Sequence, residues 1–333
     1  MAANQKLLSV NEVTKIFTIG GGFQRARLKA VEKASFALDV HKPEIFTLAG
    51  ESGCGKTTLA RMILGLLEPT EGQVLHNGIP VQELVHARQR DEFNKKVQAV
   101  FQNPFETFNP LRPVDSYLME TARNYVTGAD KEAAKKAVAK ALEQVGISYK
   151  TVGNRYPHEF SGGQLQRISV ARALITSPSL IIADEPVSMV DASLKMSVCN
   201  LFKVLRDEHK VSVIYITHDL ATAYYVSDRI AVMFRGNIVE LGSVSEVLVN
   251  PKHPYTKILR DSVPEPDPQN KWSGRIKLSS FEEQDFMRQG CKFAGRCPDV
   301  ESRCQAVEPP LVSVDGALVK CHMYVEGPHR VIA

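Results

Sequence analysis

Short apolar runs alternate with polar, Gly- and Pro-bearing stretches along this chain, and the period of the apolar positions changes from run to run. Between Leu7 and Val40 the pattern is that of antiparallel strands, with Phe36, Leu38 and Val40 alternating with polar or small neighbours. Gly20-Gly21-Gly22 reads as a flexible loop within it. Ile45-Phe46-Thr47-Leu48-Ala49 is short and apolar, as a buried strand is, and Leu59 to Leu64 suits a helix. Glu68-Pro69-Thr70-Glu71-Gly72 marks a turn, and Gln73 to His76 starts a strand that Asn77-Gly78 ends. Val97 to Phe101 is a further short strand, leading into Gln102. Asn103-Pro104 and Asn109-Pro110 then break structure, so a loop leaves the sheet.

The period changes again from about Ser116 to Val145, which is helical. Val138, Ala141, Leu142 and Val145 share one face, Gly146 suits the C′ position, and Thr127 or Asp130 the N-cap. This helical insert is expected over about residues 103–170, its first part ending at Tyr156-Pro157-His158. A helical run follows Phe160 as far as Leu174. Leu180 to Ala183 and Val211 to Thr217 read as buried strands, and Arg229–Phe234 with Asn237–Leu241 as a hairpin turning at Arg235-Gly236. From Pro251 onward Pro and charged residues increase, and Val263-Pro264-Glu265-Pro266-Asp267-Pro268 resembles a linker. A small Cys-bearing module is expected from about Phe281. The alternation of strands and helices gives an α/β fold with an antiparallel β subdomain, a helical insert and a small C-terminal metal-binding module. Two domains are expected, residues 1–250 and 251–333.

The chemistry centres on Gly50-Glu51-Ser52-Gly53-Cys54-Gly55-Lys56-Thr57-Thr58, which fits G-x-x-x-x-G-K-[ST] between a strand and a helix. Glycines let the backbone turn sharply and present its N–H groups to phosphate oxygens, and the helix N-terminus adds partial positive charge. Lys56 is expected on the β- and γ-phosphates of a nucleotide and Thr57 on Mg²⁺. Ser161-Gly162-Gly163-Gln164 at a helix start exposes backbone donors and a hydroxyl; taken alone it is equally an ordinary capped helix. Asp184-Glu185 at an apolar strand's end can bind Mg²⁺ and polarise water. His218-Asp219 closes the next strand, a place where histidine is usually structural. Phe17 could stack on an adenine, although a core aromatic is the blander reading.

Composition narrows the class. Hydrophobic residues are 44% and charged residues 23%, the balance of a soluble globular protein. The net charge of +4 is scattered, without the basic run of a nucleic-acid tail. No apolar run approaches a membrane span and no signal-peptide pattern opens the sequence, so a cytoplasmic protein is expected, touching a membrane only through a partner.

Gly50–Thr57, Gln102, Ser161–Gln164, Asp184-Glu185, Asp191 and His218 follow one another as in the ATP-binding cassette (ABC) subunits of transporters, and the resemblance covers residues 5 to 250. It implies a P-loop NTPase core and assigns roles. Phe17 falls where the family stacks adenine. Gln102 resembles the glutamine that touches Mg²⁺ and senses the γ-phosphate, and Asp184 the acid that holds Mg²⁺. Glu185 resembles the general base and His218 the switch histidine. Ser161–Gln164 resembles the signature motif that completes the opposite subunit's ATP site, and Asp191 lies in a stretch similar to the D-loop. Ser188-Met189-Val190-Asp191 departs from the family's Ser-Ala-Leu-Asp but keeps the acid. Lys42-Pro43-Glu44 replaces a Gly-Glu pair at a turn.

Asn250 to Lys257 and Gly290-Cys291-Lys292-Phe293-Ala294-Gly295-Arg296-Cys297-Pro298 resemble the extension of oligopeptide and dipeptide importers, and the loop and signature wording resembles their second, F-type ATPase. The resemblance implies a heterodimer with a related ATPase, two transmembrane permeases, and an extracytoplasmic substrate-binding protein acting indirectly. It also implies a peripheral position on the cytoplasmic membrane face. No nucleic-acid partner is expected. A soluble ABC ATPase of translation or repair is the alternative, but it usually carries two cassettes or a long coiled coil. A P-loop kinase or GTPase would lack Ser161–Gln164.

Four of the six cysteines, Cys291-x₅-Cys297-x₆-Cys304-x₁₆-Cys321, crowd into the tail, which reads as metal binding in a reducing compartment. The tail looks poor in apolar sequence, so it is expected to need a staple. The spacing differs from common zinc modules and from the ferredoxin run. Resemblance to peptide-importer ATPases, some of which hold a [4Fe–4S] cluster here, points to that cluster, with zinc as the alternative and disulfides or free thiols as the rest. His322 is a possible substitute ligand, its incidental placement being the blander reading.

Overall fold

The computed structural model describes residues 5–19, 26–86, 89–126, 130–263, 282–326 and 330–332. The Gly20-Gly21-Gly22 loop, Thr127 as a cap, the linker residues Pro264 to Pro268 and the module start at Phe281 lie outside the described residues. In chain order the strands are β1 (Lys6–Ile19), β2 (Ala26–Asp39), β3 (Ile45–Ala49), β4 (Glu71–His76), β5 (Ile79–Pro80), β6 (Val97–Val100) and β7 (Leu180–Asp184). Then come β8 (Ser212–Thr217), β9 (Arg229–Phe234), β10 (Asn237–Ser243), β11 (Leu311–Val314), β12 (Ala317–Lys320) and β13 (Arg330–Ile332). The chain forms two compact units: residues 1–39, 46–78 and 217–333 in one, 40–45 and 79–216 in the other.

In the first unit β1 pairs antiparallel with β2, from Lys6 opposite Asp39 to Ile19 opposite Ala26, and with β4 through Leu8 opposite His76. The alternation around Phe36 and Leu38 sends those side chains inward, where both are buried. β3 runs parallel to β9, and all five of its residues are buried, which explains its unbroken apolar sequence. β9 and β10 form the expected hairpin, with Arg235 and Gly236 at φ 42° and 83°, the left-handed pair of a tight primed turn. β12 adds antiparallel to β10, β11 to β12 and β13 to β11. Here the tail corrects the expectation of little apolar sequence: Phe293, Val312, Val314, Ala317, Val319 and Cys321 share one buried cluster with Ile230, Val232, Phe234 and Tyr255.

In the second unit β6, β7 and β8 are parallel, Val97 opposite Leu180 and Leu180 opposite Ser212. Both faces of β8 are covered and its six residues are buried. The insert contains helices Val114–Tyr125 and Lys131–Gln144. Asp130 caps the second by accepting from the Ala133 N–H at 2.6 Å. Ala134, Val138, Ala141 and Leu142 are its buried stripe, and Gly146, at φ 71°, ends the segment by donating to the Glu143 carbonyl at 2.9 Å. Helices Gly162–Leu174 and Ala192–Asp207 follow. Among the described residues no helix is long and apolar enough to cross a membrane.

Candidate active site

β3 delivers the chain to Gly50, and helix Lys56–Ile63 carries it away. Two glycines are obligatory. Gly50 has φ 148° and a Cβ there would sit 2.2 Å from the Met233 carbonyl oxygen. Gly55 has φ 111° and a Cβ would sit 2.3 Å from that of Ala30. The loop wraps its own lysine: the buried Lys56 ammonium donates to the Gly50 and Glu51 carbonyls at 2.7 and 2.9 Å. Cys54 is buried beneath it, and burial pushes its thiol up. Ser52, Gly53 and Thr57 face solvent, while Thr58 is half-buried. A buried lysine and the N–H groups of a glycine-bearing turn at a helix start are suited to polyphosphate.

Glu51 has two partners that sequence reasoning did not assign to the site. Its N–H donates to the Tyr255 hydroxyl oxygen at 3.1 Å, and its carboxylate accepts a fork from Arg296 at 3.0 and 2.9 Å. Phe17, 37% exposed on β1, has the Lys15 ammonium 5.5 Å from its ring centre.

In the second unit Asp184 ends β7 opposite Ile216. Glu185 then takes φ 45°, a left-handed backbone that costs a non-glycine residue about 1–2 kcal/mol. Its N–H donates to the Ile216 carbonyl at 2.9 Å, and its own carbonyl accepts from the Ser188 N–H at 3.1 Å and the Ser188 hydroxyl at 2.9 Å. Thus pinned, its carboxylate accepts from the Gln102 amide at 3.1 Å, which joins two residues 83 positions apart. Ser161 and Gln164 form a capping box: the Gln164 N–H reaches the Ser161 hydroxyl at 3.3 Å and the Ser161 N–H the Gln164 amide oxygen at 3.0 Å. A Cβ on Gly162 would lie 2.8 Å from the Met189 carbonyl oxygen, and one on Gly163 3.0 Å from Leu194. Glycines here therefore let the stretch around Asp191 pack on the helix start. Asp191 precedes helix Ala192–Asp207, its carbonyl accepting from the Leu194 N–H at 2.8 Å.

His218, in the first unit, is the exposed residue after β8. Next to it Asp219 caps helix Leu220–Val226 through the N–H groups of Ala221 and Thr222.

The tail cysteines Cys291, Cys297, Cys304 and Cys321 are free thiols. The Cys291 N–H donates to the Cys304 carbonyl at 2.8 Å. Burial chiefly pushes Cys297 up to about 11 and Cys321 up to about 12, and the charges of the neighbouring cysteines push the same way. Nearby backbone N–H groups offset part of the effect of burial at Cys291, Cys297 and Cys321 without reversing it. Among the described residues no group of three or more His, Cys, Asp or Glu is gathered so as to hold a metal ion. The His322 ring is committed elsewhere, its Nε2 donating to the Val307 carbonyl at 2.9 Å.

A glycine-bounded loop around a buried lysine in one unit, and an acidic strand end and a capped Ser-Gly-Gly helix in the other, are the features of a P-loop ATPase of the ATP-binding cassette class. The family model for ABC transporters matches residues 34–188, and that for the oligopeptide/dipeptide transporter C-terminal region matches residues 239–304. The chain is 42% identical over 288 residues to the oligopeptide transport ATP-binding protein OppF of Haemophilus influenzae, covering 86% of each. It is 38% identical over 334 residues to AppF of Bacillus subtilis, an oligopeptide transport ATP-binding protein, covering 97% of this chain and 99% of that one. The solved cassette MJ0796, in a dimeric post-hydrolysis state with ADP and Pi, is 26% identical with a TM-score of 0.61, over 71% of this chain and 98% of the other. The chain belongs to the ATP-binding subunits of ABC transporters, in the oligopeptide/dipeptide family. As such it is an ATPase whose hydrolysis is coupled to transport.

Proposed function

We propose that this chain powers import of oligopeptides or dipeptides, working as the F-type member of a pair of related ATPases docked on two permeases at the cytoplasmic membrane face. A substrate-binding protein on the far side acts through those permeases. The observation that carries the reading is the match of residues 239–304 to the oligopeptide/dipeptide C-terminal region, beside relatives named for oligopeptide transport.

Phosphoryl transfer to water needs positioning and charge neutralisation more than covalent chemistry. Lys56 and the amides of Gly50–Thr58 hold the phosphates, and Phe17 holds the adenine. The hydroxyl of Thr57, the carboxylate of Asp184 and the amide oxygen of Gln102 would each offer Mg²⁺ a hard oxygen ligand of the kind it prefers, and the ion would supply charge neutralisation. Glu185 orients and deprotonates water, its aim supported by the Gln102 contact at 3.1 Å. His218 holds the γ-phosphate. Ser161, Gly162, Gly163, Gln164 and Asp191 serve the partner ATPase's nucleotide.

Residues 1–250 form the ATPase domain in this reading, and 251–333 the importer-type extension. On the resemblance to importer ATPases its four cysteines would hold a [4Fe–4S] cluster, with zinc as the alternative, and either would supply a staple; among the described residues they are not gathered around one centre. One preparation tests the whole reading. Purified anaerobically and alone, the chain should be brown, hold about four irons and turn ATP over poorly until the second ATPase and the permeases are added. Fast, concentration-independent turnover by the lone chain would contradict the pairing, and colourless protein with stoichiometric zinc would contradict the cluster.

A further inference from the structure

Glu51 is held at three points. Its carbonyl receives the Lys56 ammonium at 2.9 Å, its N–H reaches the Tyr255 oxygen at 3.1 Å, and its carboxylate takes both arms of Arg296 at 3.0 and 2.9 Å. The last two partners come from beyond residue 250. Neither is a wandering surface group. Tyr255 is fully buried, its ring 4.6 Å from that of Phe234 and 5.5 Å from that of Phe293. Arg296 is only 11% exposed, with its guanidinium 5.6 Å from the Phe234 ring and 5.7 Å from the Phe293 ring. A forked, largely sheltered arginine–carboxylate pair has fixed geometry as well as charge, unlike most surface ion pairs.

We propose that Arg296 and Tyr255 are positioning residues for ATP binding: they latch the Glu51 peptide so that its carbonyl keeps Lys56 aimed into the phosphate cradle. The inference rests on the reading of Gly50–Thr58 as the ATP phosphate site. Rotation of the Glu51 peptide would withdraw the carbonyl from Lys56 and re-aim the amides beside it. Loss of the latch therefore weakens nucleotide binding. Water activation is assigned to other residues, Glu185 and Gln102, so the latch acts on binding rather than on the hydrolytic step. Burial pushes the Tyr255 phenol up, which keeps its oxygen a neutral acceptor at physiological pH.

The test measures the MgATP dissociation constant on the purified full-length chain, and kcat and KM in the assembled transporter. Arg296→Met should weaken MgATP binding and raise KM about tenfold, as for a lost charged hydrogen bond, with kcat changed less than about twofold. Arg296→Lys should recover only part, because a single ammonium cannot reproduce the fork. Glu51→Gln combined with Arg296→Met should be no worse than the more severe of the two single variants, because both break one contact. Tyr255→Phe, which removes a single oxygen from a retained ring, should weaken MgATP binding severalfold and serves as the readout if Arg296→Met fails to fold. An Arg296→Met protein of lowered thermal stability but wild-type affinity overturns the latch, as does a double variant whose losses simply add. Lys56→Ala separates the two readings: if it binds MgATP normally, the phosphate-site reading fails. If it loses binding while Arg296→Met and Tyr255→Phe do not, the latch alone fails.

Discussion

Replacing Glu240 should destabilise the segment that carries Tyr255, and the structure sets the size of the effect. Glu240 is fully buried in β10, and its two carboxylate oxygens accept from the N–H groups of Lys252 at 2.8 Å and His253 at 3.0 Å. Those residues lead directly into helix Pro254–Asp261. Glu240→Ala strands both N–H groups away from water, at about 1–3 kcal/mol each. Removing a buried carboxylate returns part of that, because burial raises its pKa and so disfavours its charged form. The net loss should be about 2–4 kcal/mol. Glu240→Gln keeps one accepting oxygen and should cost about half as much. Its penalty should also shrink as pH rises: a carboxyl with a raised folded pKa contributes stability at low pH that is lost as pH climbs through that pKa, and an amide has none to lose. Urea unfolding at matched m-values measures the loss, and hydrogen exchange across residues 252–261 locates it. An Ala cost below about 0.5 kcal/mol, or a Gln cost above the Ala cost, would refute the reasoning.

Two other tests bear on the same region and on the loop. His253 is fully buried, its Nδ1 accepts from the Tyr255 N–H at 3.0 Å, and burial lowers its pKa to about 3. A folded pKa below the unfolded value of about 6.5 means the unfolded chain takes the proton first. Stability is therefore full above about pH 6.5 and falls toward pH 3 by up to about 1.4 kcal/mol per unit. His253→Asn keeps a capping acceptor without titrating, so the stability difference between wild type and variant should shift toward the variant between pH 7 and 5; a pH-independent difference would contradict the buried neutral imidazole. Gly55→Ala should lose the loop conformation, because it combines φ 111° with a Cβ 2.3 Å from the Ala30 carbonyl oxygen; MgATP affinity equal to wild type would show that the loop does not need this backbone.

The sequence carried the phosphate loop plainly because the backbone dictates residue types at adjacent positions: Gly50 and Gly55 have no alternative beside the Met233 and Ala30 carbonyls. Strands buried on both faces, such as β3, and alternating ones, such as β2, were legible for the same local reason. Helix Ala192–Asp207 was legible but unread, with Val198, Leu201, Phe202 and Leu205 at helical spacing and buried. So was the β11–β12 hairpin: Leu311 to Lys320 alternates around Asp315-Gly316, whose φ values of 47° and 87° make the turn that this dipeptide announces. Reading that stretch as poor in apolar residues mistook alternation for polarity. Helices Val81–His86 and Arg90–Lys96 are too short to show a period. Pairings set by the fold, such as Arg296 with Glu51 across 245 positions, leave no local trace. The backbone of the Gly50–Thr58 loop was thus readable, but the neighbours that hold it in place were not.

The central claim is that Glu185 supplies the base for ATP hydrolysis while the loop of Lys56 supplies the binding. The most direct measurement is MgATP binding and single-turnover hydrolysis by Glu185→Gln in the transporter assembled with the second ATPase proposed for it. The substitution keeps the side-chain shape and the chance to bond Gln102, and removes only the basic carboxylate. The account predicts MgATP affinity within about threefold of wild type and hydrolysis at this site slowed by about 10²–10⁴-fold, with unhydrolysed ATP retained. Single-turnover hydrolysis at this site within about twofold of wild type would contradict it.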